Sequence, residues 1–323
     1  MSNRPRPVPA SNGVSNGVST DAPTADRPLA GIALRLLSVL LLAIMFAGVK
    51  LAATRGVHIV ESLFYRQACA ALFAALWVMA GPGLASLRTH RIGAHVTRMV
   101  IGLTAMALNF LAMVLLPLAE ATTIGFTVPI FATLLAALVL GEPTGRWRWG
   151  AVAAGFVGVL VIVQPGSGMI APIGAAVALA GALLTAAVTI VIRRLGATEA
   201  ATTTVFWFAA SSLAPLGLLM LHFGQTHDAA TWAIVAVMGT AGGAAQLALT
   251  GALRLAPVAV VMPMDYTSLI WATMFGAILF GQLPGASTWL GAPIIIVSGI
   301  VIVWREHALG RRAVREAISD GGE

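Results

Sequence analysis

Charge is scarce in this chain: only 10% of its 323 residues are Asp, Glu, Lys or Arg. A soluble domain carries roughly a quarter. With 59% hydrophobic residues and a mean hydropathy of +0.92, no core available at this length could hide the apolar surface, so the outer solvent must be lipid. Cysteine is nearly absent. A lone Cys69 excludes an intramolecular disulfide and a cysteine-rich metal site, and reads as a small apolar residue within a span. His58 has no further His or Cys clustered beside it to make a metal site. No glycine-rich phosphate loop, catalytic triad or carboxylate pair is present, so no cofactor is expected. The alternation over about ten residues that a membrane barrel needs is also missing. The net charge of +7 would suggest nucleic acid in a soluble protein. Here the basic residues sit between apolar runs, where they set topology, and no nucleic-acid partner is expected.

What is there is a series of apolar runs separated by short polar breaks. Ten can be placed: 30–51, 58–79, 94–116, 121–140, 149–163, 173–192, 201–221, 230–253, 258–280 and 289–304. Their length and continuity predict helices rather than strands. Breaks such as Gly81-Pro82-Gly83, Gln164-Pro165-Gly166 and Leu283-Pro284-Gly285 are short enough to make consecutive helices antiparallel neighbours. Residues 1–29 are rich in Pro, Ser, Asn, Gly and Arg. They cannot bury enough apolar surface to fold alone, and a disordered cytoplasmic tail is expected. They also lack the apolar core and cleavage site of a secretory signal. Residues 305–323 are read as a cytoplasmic carboxy-terminal tail.

The basic residues of the breaks fall on one side. Arg4, Arg6 and Arg27 precede the first span; Arg88 and Arg91, Arg146 and Arg148, Arg193 and Arg194, and Arg254 follow the even-numbered spans; Arg305, Arg311, Arg312 and Arg315 follow the last. The other side receives Arg55 and Lys50. This pattern predicts both termini in the cytoplasm of a multi-pass protein of the cell inner or plasma membrane.

The chain is also duplicated. Residues 126–142 read FTVPIFATLLAALVLGE and residues 266–282 read YTSLIWATMFGAILFGQ. Upstream, gapless alignment of 102–119 with 239–256 sets Asn109 opposite Gln246 and Gly102 opposite Gly239; downstream, Trp149 meets Trp289. Each half, 30–164 and 171–304, holds five spans. Five is odd, so the copies must cross in opposite senses. The fold class read from these features is an all-α polytopic membrane protein with ten transmembrane helices in two inverted five-helix repeats. Inverted repeats mark secondary transporters, which bind solute near the midplane where the repeats meet.

These residues resemble the drug/metabolite transporter superfamily, in particular its members with paired EamA repeats. The likeness covers residues 30–304. It rests on Lys50, Arg66 and Ala70 around the first loop, on Leu118-Ala119, Pro129 and Gly141-Glu142 of the fourth span, and on Leu255-Ala256 and Gly281-Gln282 at the matching places of the second half. Gln282 stands where the family pattern has an acid. The resemblance implies a ten-helix bundle with a central cavity and movement of a small metabolite, without fixing which.

Asp265 is the first candidate for chemistry. A carboxylate inside an apolar run is costly, about 2.5–3.5 kcal/mol on insertion scales, and normally faces a bundle interior or a wet cavity. It can bind a substrate amine, carry a coupling proton, or hydrogen-bond a neighbouring helix. Pro263, just before it, removes a backbone hydrogen bond, and Pro129 does likewise in the fourth span. Asn109 and Gln246 are amides in mid-span that either contact substrate or bridge helices. Phe126, Tyr266 and Trp271 are candidates for stacking on a planar or cationic solute, with bundle packing as the alternative. Lys50, Glu61 and Arg66 are candidates for coupling or gating. Arg66 can attract an anion, or pair with Glu61 or a helix carbonyl. Gly239, Gly242, Gly243 and Gly251 read as close helix packing.

The functional expectation is a secondary transporter, not an enzyme. It would move an amino acid, amine or related organic metabolite by alternating access, with a proton as candidate coupling ion, as a monomer or homodimer. An intramembrane enzyme and a non-transporting sensor are the alternatives.

Overall fold

The computed structural model describes residues 27–81, 83–89, 91–139, 146–164, 171–196, 199–256 and 258–320. The expected amino-terminal tail up to residue 26, the turns at Pro82 and Pro165-Gly166, and the Gly141-Glu142 motif lie outside them. Every regular element among the described residues is helical. In the first half these are α1 (Pro28–Thr54), α2 (Ile59–Ala80), α3 (Ile92–Leu115), α4 (Leu118–Gly125), α5 (Val128–Val139) and α6 (Arg146–Val163). In the second they are α7 (Pro172–Gly196), α8 (Ala201–Phe223), α9 (Ala229–Leu255), α10 (Val258–Val261), α11 (Ser268–Phe280) and α12 (Ala286–Asp320).

The helix ends follow local rules. Pro28 opens α1, where its missing N–H is no loss. His58 and Glu61 close a capping box on α2. Asp228 accepts the Thr231 amide at 3.0 Å ahead of α9. Gly281 ends α11 at φ +63°, with its N–H bonded to the Ala277 carbonyl and that of Gln282 to Gly276. Glycine adopts this left-handed backbone without penalty, so the Gly281-Gln282 motif is a helix stop.

Among the described residues, eight helical stretches are long and apolar enough to cross a bilayer, and 149–163 is a shorter apolar helix. Two expected spans are not single helices. The fourth breaks at Phe126 and Thr127, whose amides bond back to Thr123 and Ile124 at 3.1 and 3.0 Å. Pro129 has no N–H with which to continue the ladder, and the Thr127 hydroxyl takes the Ile124 carbonyl at 2.7 Å. The ninth is broken by a 3₁₀ segment, Met262–Thr267, that contains Pro263. There the Thr267 and Ser268 hydroxyls donate to the Met264 and Asp265 carbonyls, both at 2.6 Å. Hydroxyls that re-satisfy carbonyls are what make a broken helix tolerable at membrane depth. The last helix also runs on, through Asp320, past the expected end at 304.

Packing repeats between the halves. α1 lies along α9, and α3 lies along α7; α2 meets α9, and α8 meets α3; α1 touches α11, and α7 touches α5. α2 pairs with α8, and α6 with α12. Exchanging α1 with α7, α2 with α8, α3 with α9, the α4–α5 pair with α10–α11, and α6 with α12 maps these main pairings onto themselves, whereas the contacts of α1 with α3 and of α5 with α12 have no counterpart of similar extent. A Cβ built on Gly31 of α1 would collide with Ala256, and one built on Gly174 of α7 would stand 2.6 Å from Leu116, so the two long pairings share a glycine-mediated approach. Core residues such as Phe110, Met238, Ile162 and Ile295 are sealed inside. Leu138, Ile173, Leu218 and Ile278 project outward, as befits an outer solvent of lipid.

Candidate functional site

Asp265 sits on the 3₁₀ segment between α10 and α11, and its carboxylate is engaged. Arg35 of α1 donates from Nε to Asp265 Oδ1 at 2.5 Å and closes an ion pair through Nη2. Arg35 is nearly sealed while Asp265 keeps 30% side-chain exposure. Arg35 also reaches the Ser38 hydroxyl at 3.5 Å, and Ser38 donates to the Ala245 carbonyl of α9 at 2.8 Å. Arg35 lies seven residues into α1, about 10 Å of rise. The pair therefore belongs to the end of the bundle where α1 begins, tying α1, α9 and the ninth-span break together. Gapless extension of the repeat puts Gly125 opposite Asp265, so the ion pair has no counterpart in the first half.

Beside Asp265, Tyr266 meets Phe126 edge to face, with centroids 5.1 Å apart and planes at 70°. These two occupy matching positions in the repeat, each at the break in its own span. Their contact brings the fourth and ninth spans together. The Tyr266 hydroxyl lies over Gly299 of α12, 2.6 Å from where a Cβ would be. Trp271 is partly buried on α11.

The other candidates are dispersed. Asn109 donates to the Ala105 carbonyl at 2.9 Å and to the Thr185 hydroxyl of α7 at 3.1 Å, and so bridges α3 and α7. Gln246 lines a cleft between α2, α8 and α9 with Ala74, Trp77, Thr202, Val205 and Thr250. That cleft offers about 20 Å³ to the centre of a water-sized sphere, room for about one water. Asn109 and Gln246, matched in sequence, thus face different surroundings.

Lys50, late in α1, donates to the Met113 and Leu116 carbonyls at 3.2 and 2.5 Å. A cation on these freed carbonyls suits the negative end of the α3 dipole. Glu61 is sealed and fully used. Its Oε1 accepts the His58 amide at 3.0 Å, and its Oε2 contacts His227 Nε2 at 2.8 Å and accepts the Gln225 amide at 3.4 Å. Glu61 therefore ties the start of α2 to the connection before α9 and does not pair with Arg66. Arg66 donates to Gln67, and its stem packs 3.2 Å from where a Cβ on Gly242 would stand. Among the described residues no three His, Cys, Asp or Glu gather as metal ligands.

Three charged residues of this interior escape a reading based on loop charges: Arg35, Arg98 and Glu120. Arg98 folds over Gly102 and sits 4.0 Å from the Phe208 ring. Glu120 is buried and accepts from the Gly285 amide and the Thr288 hydroxyl at 3.3 and 3.2 Å, anchoring the entry to α12. For Arg35 and Arg98 the signal that finds them is the one that found Asp265, a charge inside an apolar run; Glu120 lies in the break between the third and fourth runs and gives no such signal.

With this geometry in view, comparison with known proteins is informative. The chain matches the EamA-like transporter family twice, over residues 29–164 and 172–304. It is 32% identical over 286 residues to a riboflavin transporter of Rhizobium johnstonii, covering 88% of this chain and 91% of that protein. It is 27% identical to the pseudopaline exporter CntI of Pseudomonas aeruginosa, covering 84% and 95%. It is 25% identical to an S-adenosylmethionine uptake transporter of Rickettsia prowazekii, covering 69% and 76%. A solved crystal structure superposes with a TM-score of 0.58 at 18% identity, over 87% of this chain and 99% of that one, a likeness of fold. Two matched repeats across most of a multi-pass, lipid-facing helical chain place it: it belongs to the EamA-like transporter family of small-solute transporters.

Proposed function

We propose that the chain is a secondary transporter that works by alternating access, with ten crossings, oppositely inserted halves and both termini in the cytoplasm of an inner or plasma membrane. The observation that carries this reading is the exchange symmetry of the packing, with Phe126 and Tyr266 meeting where the two halves touch. Two halves whose main pairings match, with a few contacts made by one half alone, can swap roles, which is what alternating access requires. The one-sided distribution of loop arginines supports the orientation. The relatives' names support a carrier over an enzyme or a sensor.

Arg35 and Asp265 act in this reading as a gate at the end where α1 begins. Opening that end parts the pair, and protonation of Asp265 as it leaves Arg35 is the proposed coupling step. Amines lose support as substrates, because the carboxylate that would hold them is already engaged. Riboflavin is the first solute to test, since a relative that covers most of the chain is named for it.

The test is uptake and counterflow of radiolabelled riboflavin, with a panel of other organic metabolites, in proteoliposomes of the purified full chain. Saturable counterflow by at least one solute is expected. Rates equal to those of protein-free liposomes for the whole panel overturn the carrier reading. In an active preparation, Asp265→Asn is expected to flatten the dependence of flux on external pH; an unchanged profile removes the coupling step.

A further inference from the structure

The interior contains two arginines that no carboxylate among the described residues neutralises. Arg66 of α2 is 8% exposed and Gln67 beside it is fully buried. Arg98 of α3 lies within electrostatic range of Arg66. Arg66 Nε, Gln67 Nε2, Arg98 Nε and Arg98 Nη1 are all buried donors without a hydrogen-bond partner. Among the described residues no carboxylate pairs with either guanidinium: Glu61 is taken by His227, and Asp265 by Arg35. Two like charges drawn out of water with open donors are costly unless an anion joins them.

The surroundings hold the arginines in place. Arg98 lies along Gly102, where any Cβ would strike its guanidinium and come within 2.9 Å of the Phe208 ring. That ring lies under the Arg98 guanidinium at 4.0 Å, a cation–π contact that leaves the planar edge free. On the other side, Gly242 of α9 admits the Arg66 stem and the Met45 sulfur, the latter 2.7 Å from a Cβ built there. Two glycines thus make room for two inward-turned guanidinium groups that present donors and no acceptor.

We propose that Arg66, Gln67 and Arg98 form a binding subsite for an oxyanion, the carboxylate or phosphate of a transported solute. Guanidinium groups bind such groups through paired N–H donors. The subsite deepens the carrier reading and rests on it: it makes the preferred solute an organic anion, or one with a strongly electron-rich oxygen edge.

The test uses the full chain in phosphatidylcholine nanodiscs. Thermal unfolding is followed by tryptophan fluorescence as phosphate, sulfate or acetate replaces chloride at constant ionic strength. The wild type is expected to show a saturable rise in Tm. Arg98→Gln is expected to weaken the apparent affinity about ten- to a hundredfold, the worth of one charged hydrogen bond, and Arg98→Lys to recover part of it. Should Arg98→Gln not fold, Gly102→Ala serves in its place with the same expected loss of affinity, since it displaces the Arg98 guanidinium and leaves the charge. An equal oxyanion response in wild type and Arg98→Gln, or none in the wild type, overturns the subsite. A second arm adds phosphatidylglycerol: if the lipid raises Tm and abolishes the phosphate response, the donors serve a lipid headgroup and the solute assignment falls. The readout needs no flux. Oxyanion binding in a chain that carries nothing contradicts the carrier reading alone; flux without oxyanion binding contradicts the subsite alone.

Discussion

Phe126 and Tyr266 stand at the same place in the two halves of the chain and touch each other, ring edge to ring face, at 5.1 Å. Repeat-equivalent residues can contact one another only beside the axis that exchanges the halves. Each also sits at the break in its span, so the axis passes through the two least regular helices. An aromatic pair of this geometry contributes about 0.5–1.5 kcal/mol beyond its buried area. A double-mutant cycle with Phe126→Leu and Tyr266→Leu should show coupling of that size in unfolding free energy. Tyr266→Phe, which keeps the ring, should leave the coupling intact. Additive single-mutant effects would mean that the contact does no work.

The Arg35–Asp265 pair should behave as one unit. Arg35 is nearly sealed, so Asp265→Ala leaves a guanidinium without its anion and should destabilise by about 1–3 kcal/mol, less than for a fully buried pair because Asp265 keeps contact with water. Arg35→Gln together with Asp265→Asn should recover part of the loss. Chemical denaturation of the four proteins in mild detergent measures this. No recovery in the double variant would show that the two residues act independently.

Helix spacing gives a contrast among glycines. A Cβ at Gly31 would collide with Ala256, and overpacking of that kind costs about 1–3 kcal/mol. Gly93 on α3 has nothing within 4 Å of a built Cβ. There alanine should be neutral or stabilising by up to about 1 kcal/mol, through helix propensity alone. Thermal shifts of Gly31→Ala and Gly93→Ala should have opposite signs; a common sign would contradict the close α1–α9 approach.

Lys50 supplies two hydrogen bonds to the carbonyls that end α3. Lys50→Met keeps the stem and removes the charge, and should cost about 1–3 kcal/mol. If Lys50 acts only there, oxyanion binding at Arg98 should not change in this variant. A weakened oxyanion response would assign Lys50 to the binding site as well.

Much of this was legible in the residues, and the remainder was not for identifiable reasons. The helical spans followed from hydropathy, because apolar runs separated by Gly and Pro leave few alternatives in lipid. The duplication followed from Phe126 to Glu142 matching Tyr266 to Gln282, but that Phe126 and Tyr266 meet did not, because matched positions in a repeat do not say which of them lie beside the axis. The helix breaks were half visible: Pro129 and Pro263 were evident, but the hydroxyls of Thr127, Thr267 and Ser268 that settle the geometry act through local backbone bonds that leave no periodic trace. Asp265 stood out as a charge inside an apolar run; its partner did not, because Arg35 is 230 positions away and sequence spacing says nothing of contacts across helices. Asn109 and Gln246 diverged for a related reason. Their backbones are equivalent, but Thr185 is in reach of one and a water-sized cleft lies beside the other.

The central claim is that two interchangeable halves carry a solute by opening one end at a time. Its most direct measurement is counterflow in proteoliposomes, with wild type set beside a Cys69→Ala, Arg35→Cys, Asp265→Cys variant whose end is locked by a short bis-methanethiosulfonate cross-linker, since an arginine reaching a carboxylate holds the two Cβ atoms too far apart for a direct disulfide. Saturable counterflow in the wild type, abolished on cross-linking of the variant and restored by reduction, is the predicted result. Counterflow that continues unchanged in the cross-linked variant would contradict it.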